Sequence, residues 1–436
     1  MTALGVALQF LGLLVFAAHS LRGGDLGLCA SVLVLAGLLA ARRDLARWLV
    51  GPALLAAGLI FAEAGRDMVA FRLAAGLPWL RLAGIMAGVV AVCLAGGLFA
   101  FTRRGEAFGR RGPGNVAPRA AAFWIAVTLL AVARAKVDFP ILLLDRFAPG
   151  WGWLEITALG LYAAWLTGLM LAAPRTGPLR SRYWGAFSLV FFGQLALGLA
   201  GATVFLMTGA LHLPVPALIA AGPAYRGGGY FMPILYLSTV LLVGPGWCSH
   251  LCYIGAADDA CARLGRPVPR RLPAGRTWWR AATLALTVGG ALVLRWLEVP
   301  LGVAVTAAAV FGLVGLGIMA TFSRKAGVMV HCAMYCPIGL LGNILGKISP
   351  WRVRIGQGCD GCGRCSRVCR YLALTPADLD KGRPGLSCTL CGDCLSACPG
   401  GRIGLRFPGL SPEAARQAFF ALVVALHAVF LGVARI

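Results

Sequence analysis

Residues 300–322 read PLGVAVTAAAVFGLVGLGIMATF, a run with no charged side chain in it. A bilayer core of roughly 30 Å takes about 20 helical residues to cross, and this stretch supplies them before stopping at Arg324 and Lys325. Runs of the same kind lie near residues 3–20, 26–41, 48–63, 79–101, 120–135, 153–173, 183–209, 231–247, 278–296 and 413–434, about eleven in all. The chain of 436 residues is 59% hydrophobic and 13% charged, far more apolar than a soluble globular protein. These runs predict an all-α polytopic membrane protein. Nothing basic precedes the first run and further runs follow at once, so it reads as a helix and not as a signal peptide. The 59 glycines, many inside spans as in GQLALGLAGA (193–202), suit helices that approach closely in lipid.

A net charge of +24 invites a nucleic-acid partner, but its distribution excludes that reading. Basic residues cluster after every second run: Arg42, Arg43 and Arg47; Arg103, Arg104, Arg110, Arg111 and Arg119; Arg175, Arg180 and Arg182; Arg263, Arg266, Arg270, Arg271, Arg276 and Arg280; then Arg324 and Lys325. The loops between carry fewer, with Arg22, Arg226 and Arg295 each alone in theirs. The positive-inside rule then places the N-terminus and the richer loops on the cytoplasmic side of the membrane. Topology together with attraction to anionic lipid covers most of the charge.

Cysteine placement carries the chemistry. Of the 15 cysteines, Cys29 and Cys93 stand alone inside spans and read as small core residues. The others follow residue 247, on the expected cytoplasmic side, a reducing place where clustered cysteines bind metal more often than they form disulfides. Residues 359–369 read CDGCGRCSRVC and residues 388–399 read CTLCGDCLSACP, each the CxxCxxCxxxC spacing of bacterial-type ferredoxins. In two-cluster ferredoxins the fourth cysteine of each run serves the other cluster. Carried onto this chain, Cys359, Cys362, Cys365 and Cys398 would hold one [4Fe-4S] cluster, and Cys388, Cys391, Cys394 and Cys369 the second. Zinc also binds paired CxxC motifs, but two complete four-cysteine frames, one followed by Pro399, favour clusters. Arg370 stands where the first run would have its proline, and basic residues outnumber acidic ones around both runs.

Two further pairs share a spacing: GWCSHLCY (246–253) carries Cys248 and Cys252, and VHCAMYCPIG (330–339) carries Cys332 and Cys336. On a helix, positions i and i+4 share a face, so two such faces could close a four-thiolate site. Each pair follows a span, which gives an internal repeat over 231–345. A third iron–sulfur cluster, zinc or Cu(I) all suit soft thiolates; packed thiols or a transient redox pair remain alternatives. His250 and His331 beside these pairs are candidate outer partners of the site. Cys261 has no counterpart in the repeat and reads as a free thiol.

The order CxxxC, CxxxCP-x-G, SPWRVRI (349–355) and two ferredoxin runs resembles the NapH/NosR/CcoG class of polytopic membrane polyferredoxins over about residues 231–407, with NapH-type quinol dehydrogenase components and the membrane part of NosR nearest. The resemblance implies a relay of electrons between cytoplasmic donors or the quinone pool and a membrane or extracytoplasmic partner, as the electron-transfer component of an oxidoreductase system. Tyr253 departs from the family's proline after the first CxxxC. No CxxCH haem motif is found, no separate flavin domain can be placed, and the first six spans lie outside the match. The expected organisation is N-terminal helices over 1–180, a helical core with the CxxxC repeats over 181–348, a small cytoplasmic two-cluster ferredoxin domain over 349–408 and a last helix over 409–436. Other readings are a thiolate-based copper reductase or maturation protein, and a cluster-based membrane redox sensor. His19, His212 and His427 are weak candidates for a b-type haem or a quinone pocket, and Gln194 for a helix contact or a quinone carbonyl.

Overall fold

The structure, a computed structural model, describes residues 2–41, 43–108, 115–174, 176–206, 213–265, 272 and 275–433. Arg42, Arg110, Arg111, Arg175, Arg266, Arg270, Arg271 and His212, and the ends of the runs at 183–209 and 413–434, lie outside the described residues. Two compact units divide between Gly168 and Leu169.

The first unit is built from α1 (Thr2–Arg22), α2 (Leu26–Ala40), α3 (Ala46–Ala74), α4 (Leu80–Phe99), α5 (Val116–Lys136) and most of α6 (Gly152–Ala172). Leu49, Val50, Leu54, Ala57 and Cys93 are fully buried at its centre. Helices α1 and α4 meet at small residues: a Cβ on Gly96 would lie 3.2 Å from the backbone of Gln9, whose Nε2 donates to the Gly96 carbonyl at 3.2 Å. Lipid offers no hydrophobic drive for helix association, so close backbone packing of this kind supplies it. Helix ends are fixed by polar side chains. Asp25 caps α2 by accepting from the Leu28 amide at 3.0 Å, and Asp145 accepts from Arg134 and from the Gly152 amide, both at 2.7 Å, where α6 begins.

The second unit holds α7 (Thr176–Leu199), α8 (Leu218–Arg226), α9 (Phe231–Val243), α10 (Tyr253–Leu264), α11 (Arg276–Trp296), α12 (Leu301–Ile318), α13 (Pro337–Leu345) and α14 (Pro412–Val433). Between α13 and α14, β1 (Arg352–Ile355) pairs antiparallel with β2 (Ile403–Arg406), Val353 opposite Leu405 and Ile355 opposite Ile403. The strands bracket both CxxCxxCxxxC runs and seat them on the helices. Trp351, just before β1, donates Nε1 to the Leu242 carbonyl at 2.8 Å and packs edge-on against Phe419 of α14 at 5.2 Å.

Nine of the eleven expected spans fall in helical segments long and apolar enough to cross a membrane, among the described residues, the run at 231–247 only when α9, the turn after it and α10 are taken together as Phe231–Leu264. The run at 26–41 forms α2, apolar but only 15 residues long. The run at 183–209 falls in α7, whose first turns carry Arg180 and Arg182. The helices are those of a membrane protein.

Candidate functional site

Each CxxxC pair sits where a helix is interrupted. After α9 the chain turns at Gly244, with φ +61°, passes through Pro245 and Gly246, and makes a single helical turn over Trp247–His250. Cys252 is extended (φ −83°, ψ 113°) and caps α10, its Sγ accepting from the Gly255 amide at 3.4 Å. The second pair repeats this: Cys332 lies in a wide turn over His331–Tyr335, and Cys336 is extended (φ −69°, ψ 113°) ahead of Pro337 and α13. One continuous helix carrying both thiols on a face is therefore not what forms. The break survives at Tyr253 without proline, because the Cys252 cap and the stacking of Tyr253 on Phe191, 3.7 Å between ring centroids and 15° between planes, hold the turn.

Cys248, Cys252, Cys332 and Cys336 line one cavity together with Arg280, Asn343, Tyr371 and Thr389. Arg280 is 2% exposed and bonds Asn343 Oδ1 at 2.8 Å, a cation placed beside four thiols. An anionic thiolate centre fits such a donor set.

A second cavity is lined by Cys369, Cys388, Cys391 and Cys394, again with Tyr371 and Thr389. These are three cysteines of the second run and the fourth of the first. Gly363 (φ +66°) and Gly392 (φ +83°) hold equivalent places in the two runs, each starting a short helix, Arg364–Val368 and Asp393–Ala397. Both sit in the left-handed region that a side chain disfavours, and a Cβ on Gly392 would also press on Phe420 at 3.2 Å. The Ala373 amide donates to Cys369 Sγ at 3.3 Å. Burial pushes the Cys369, Cys388 and Cys391 thiols up to about 12. Bare thiols here would stay protonated at neutral pH, and iron is the positive charge that would hold them as thiolates. Four cysteines in the ferredoxin spacing around one cavity fit a cubane cluster.

Cys359 and Cys362 are exposed, Cys365 is buried and Cys398 is half-buried, with the Arg402 amide donating to Cys398 Sγ at 3.3 Å. Hydrogen bonds tie the second, inner run and the segment after Cys369 to the first CxxxC segment and α13: Ser249 Oγ to the Thr389 carbonyl at 2.7 Å, Asn343 Nδ2 to the Cys388 carbonyl at 3.2 Å, and Tyr371 Oη to the Cys248 carbonyl at 3.4 Å.

His331 reaches towards the thiols, its Nδ1 4.0 Å from Cys332 Sγ. Its ring, Cys332 and Asp258 bring ligand atoms within 4.8 Å of one another, and Asp258 Oδ2 accepts from the Cys332 amide at 3.0 Å. Asp258 was missed in the sequence, where nothing but its place after the first CxxxC singled it out. His250 is fully buried, and its Nδ1 shares a hydrogen bond with Tyr183. His427 donates Nδ1 to the His250 carbonyl at 3.1 Å and packs edge-on against Tyr183 and Phe187. His19 lies in the first unit, 5.1 Å from the Phe61 ring. Gln194 is buried in α7. Cys261 is half-buried and free.

Residues 226–271 and 306–356 match the family model described as 4Fe-4S binding domain. Those stretches contain both CxxxC pairs and end before the first ferredoxin run. The chain is 22% identical over 238 residues to a protein of Escherichia coli named as an electron transport protein, YccM, covering 49% of this chain and 65% of that one. It is 28% identical over 274 residues to the methylamine utilization ferredoxin-type protein MauN of Paracoccus denitrificans, covering 57% of this chain and 88% of that one. With the MauN protein of Methylorubrum extorquens it shares 29% identity over 186 residues, 39% of this chain and 60% of that one. The chain thus spans about two thirds or less of the first and third of these relatives. No solved structure matches it significantly. Two stretches of the chain match a 4Fe-4S binding domain, and the chain is similar to a protein named for electron transport and to proteins named as ferredoxin-type.

Proposed function

We propose that the chain is a membrane-bound iron–sulfur electron-transfer protein that relays electrons between a cytoplasmic or quinone donor and a membrane or extracytoplasmic acceptor, in the manner of NapH-type components. Cys359, Cys362, Cys365 and Cys398 hold one cluster, Cys369, Cys388, Cys391 and Cys394 a second, and Cys248, Cys252, Cys332 and Cys336 a third. Such clusters supply one-electron capacity; the protein supplies spacing, charge and exclusion of water. The observation that carries the reading is the shared wall: Tyr371 and Thr389 line both the CxxxC cavity and the inner ferredoxin cavity. Groups held in the two would be separated by one layer of side chains, a spacing suited to a relay. The loop charges favour a cytoplasmic ferredoxin segment, and the resemblance to NapH-type components favours a bacterial inner membrane.

Anaerobic purification with iron and sulfide counts tests this. Three cubanes require about twelve irons per chain at four each, and EPR should resolve reducible clusters; tightly bound zinc with no such signal would sink the proposal. The approach of Asp258, His331 and Cys332 favours a second reading, in which the site handles a single soft or borderline ion such as copper. A stoichiometric copper or zinc ion that is lost on His331→Ala, with about eight irons retained, would decide for it.

A further inference from the structure

Arg180, in the first turns of α7, is 1% exposed. Its Nε and Nη2 donate to Asp393 Oδ1 and Oδ2, both at 3.0 Å, as a two-pronged pair. Nη2 also reaches Asp259 Oδ1 at 3.2 Å, and Nη1 donates to the Ser249 carbonyl at 3.1 Å. Asp393 stands between Cys391 and Cys394, and Ser249 follows Cys248. One buried guanidinium therefore holds the inner ferredoxin loop and the first CxxxC segment at once. Thr176, one turn earlier, adds a hydrogen bond from Oγ1 to the Gly392 carbonyl at 3.2 Å.

Charge makes this more than a latch. Arg180, Arg263, Asp259 and Asp393 form a closed network, with Arg263 pairing to Asp259 at 2.7 Å and Asp393 at 3.1 Å. Two positive and two negative groups leave it neutral. Loss of Arg180 alone would leave a net negative charge beside the cysteines, in a setting with little solvent to screen it. Added negative charge disfavours taking up an electron, so the potential of a group held there would fall; loss of Asp393 would act in the opposite sense.

We propose that Arg180 is the positioning residue of the inner site, fixing the Cys391–Cys394 loop against the helices and setting the reduction potential of the group held by Cys369, Cys388, Cys391 and Cys394. The proposal rests on the cluster reading above. It is tested by EPR-monitored redox titration of the purified full-length protein and of Arg180→Gln, Arg180→Lys, Arg263→Gln, Asp393→Asn and the Arg180→Gln/Asp393→Asn double variant. In Arg180→Gln the midpoint of one cluster should move negative, changing its reduced-to-oxidised ratio at fixed potential by about tenfold, or about 59 mV for one electron. Arg263→Gln should move the same cluster the same way by less, and Asp393→Asn should move it positive. Arg180→Lys, which keeps the charge, should stay near wild type, and the double variant should return towards it.

Unchanged midpoints in Arg180→Gln and Asp393→Asn with iron content intact would overturn the proposal, leaving a purely structural latch. Should Arg180→Gln fail to accumulate, Arg263→Gln and Asp393→Asn decide alone: opposite shifts support the proposal, and equal or absent shifts overturn it. A wild-type protein without cluster signals would instead overturn the cluster reading itself.

Discussion

Two cysteine runs of identical spacing meet different surroundings in this molecule. In the first, Cys359 and Cys362 are exposed, and the Asp360 carboxylate accepts from the Cys362 amide at the surface. In the second, Cys388, Cys391 and Cys394 line a cavity together with Cys369, and the loop is fastened by Arg180, Thr176, Ser249 and Asn343. Spacing sets which atoms can hold a cluster, while tertiary contacts set where that cluster faces. An exposed site suits exchange with a soluble partner, and the basic residues around it suit an acidic one. A fastened site suits a fixed handover towards the membrane helices.

The sharpest way to break this contrast is to remove one ligand from each side. Cys394→Ser should cost the inner site's iron, about four atoms per chain, and lower the thermal unfolding temperature, because the loop it closes also anchors α7 and the CxxxC segments. Cys359→Ser should cost a similar amount of iron while leaving unfolding nearly unchanged. Equal thermal losses in the two variants would show that the runs are structurally equivalent. Next in size is Asp259→Ala, which leaves Arg180 and Arg263 sharing one carboxylate. Breaking a buried pair in this way costs about 3–5 kcal/mol, whereas Glu413→Ala, at a more exposed pair with Arg416 at 3.4 Å, should cost under about 1 kcal/mol; denaturant titration in detergent compares them.

A smaller effect follows from the inner thiols. Their affinity for protons in the metal-free protein is raised from an ordinary value of 9.0 to about 12 by burial. The metal-free fold therefore keeps this contribution in full below pH 9 and loses it as the pH rises towards 12, since unfolding then releases thiols that ionise more readily. Thermal scans between pH 8 and 10.5 should show a fall in the metal-free protein that the iron-loaded protein lacks. The smallest expected contrast is kinetic: in metal-free protein, Cys359 and Cys362 should react with a maleimide before Cys365 and Cys369, read by peptide mass spectrometry.

What the sequence made legible was chemistry with a fixed spacing. Two CxxCxxCxxxC runs named eight sulfurs, and the structure brings Cys369 to the cavity of the second run. The repeated CxxxC pairs named four more, which line one cavity. What stayed hidden depends on contacts distant in sequence. Arg180 reads from the sequence as one loop arginine among many, because the positive-inside pattern explains its charge; its partners Asp259 and Asp393 lie 79 and 213 residues away. Tyr371 and Thr389, the wall common to both cavities, carry no spacing signal at all. The turn at Cys252 was harder to see than its counterpart at Cys336 because proline marks only the second, while the first relies on a sulfur cap and on Phe191 from another helix.

The proposed relay depends on a third cluster held by the CxxxC thiols beside the inner ferredoxin site. Iron and sulfide counts with EPR on wild type and on a Cys248→Ser/Cys332→Ser variant test it most directly. About twelve irons should fall to about eight at four per cluster, with both ferredoxin signals intact. Identical iron content in the two proteins, with the variant's signals unchanged, would contradict it.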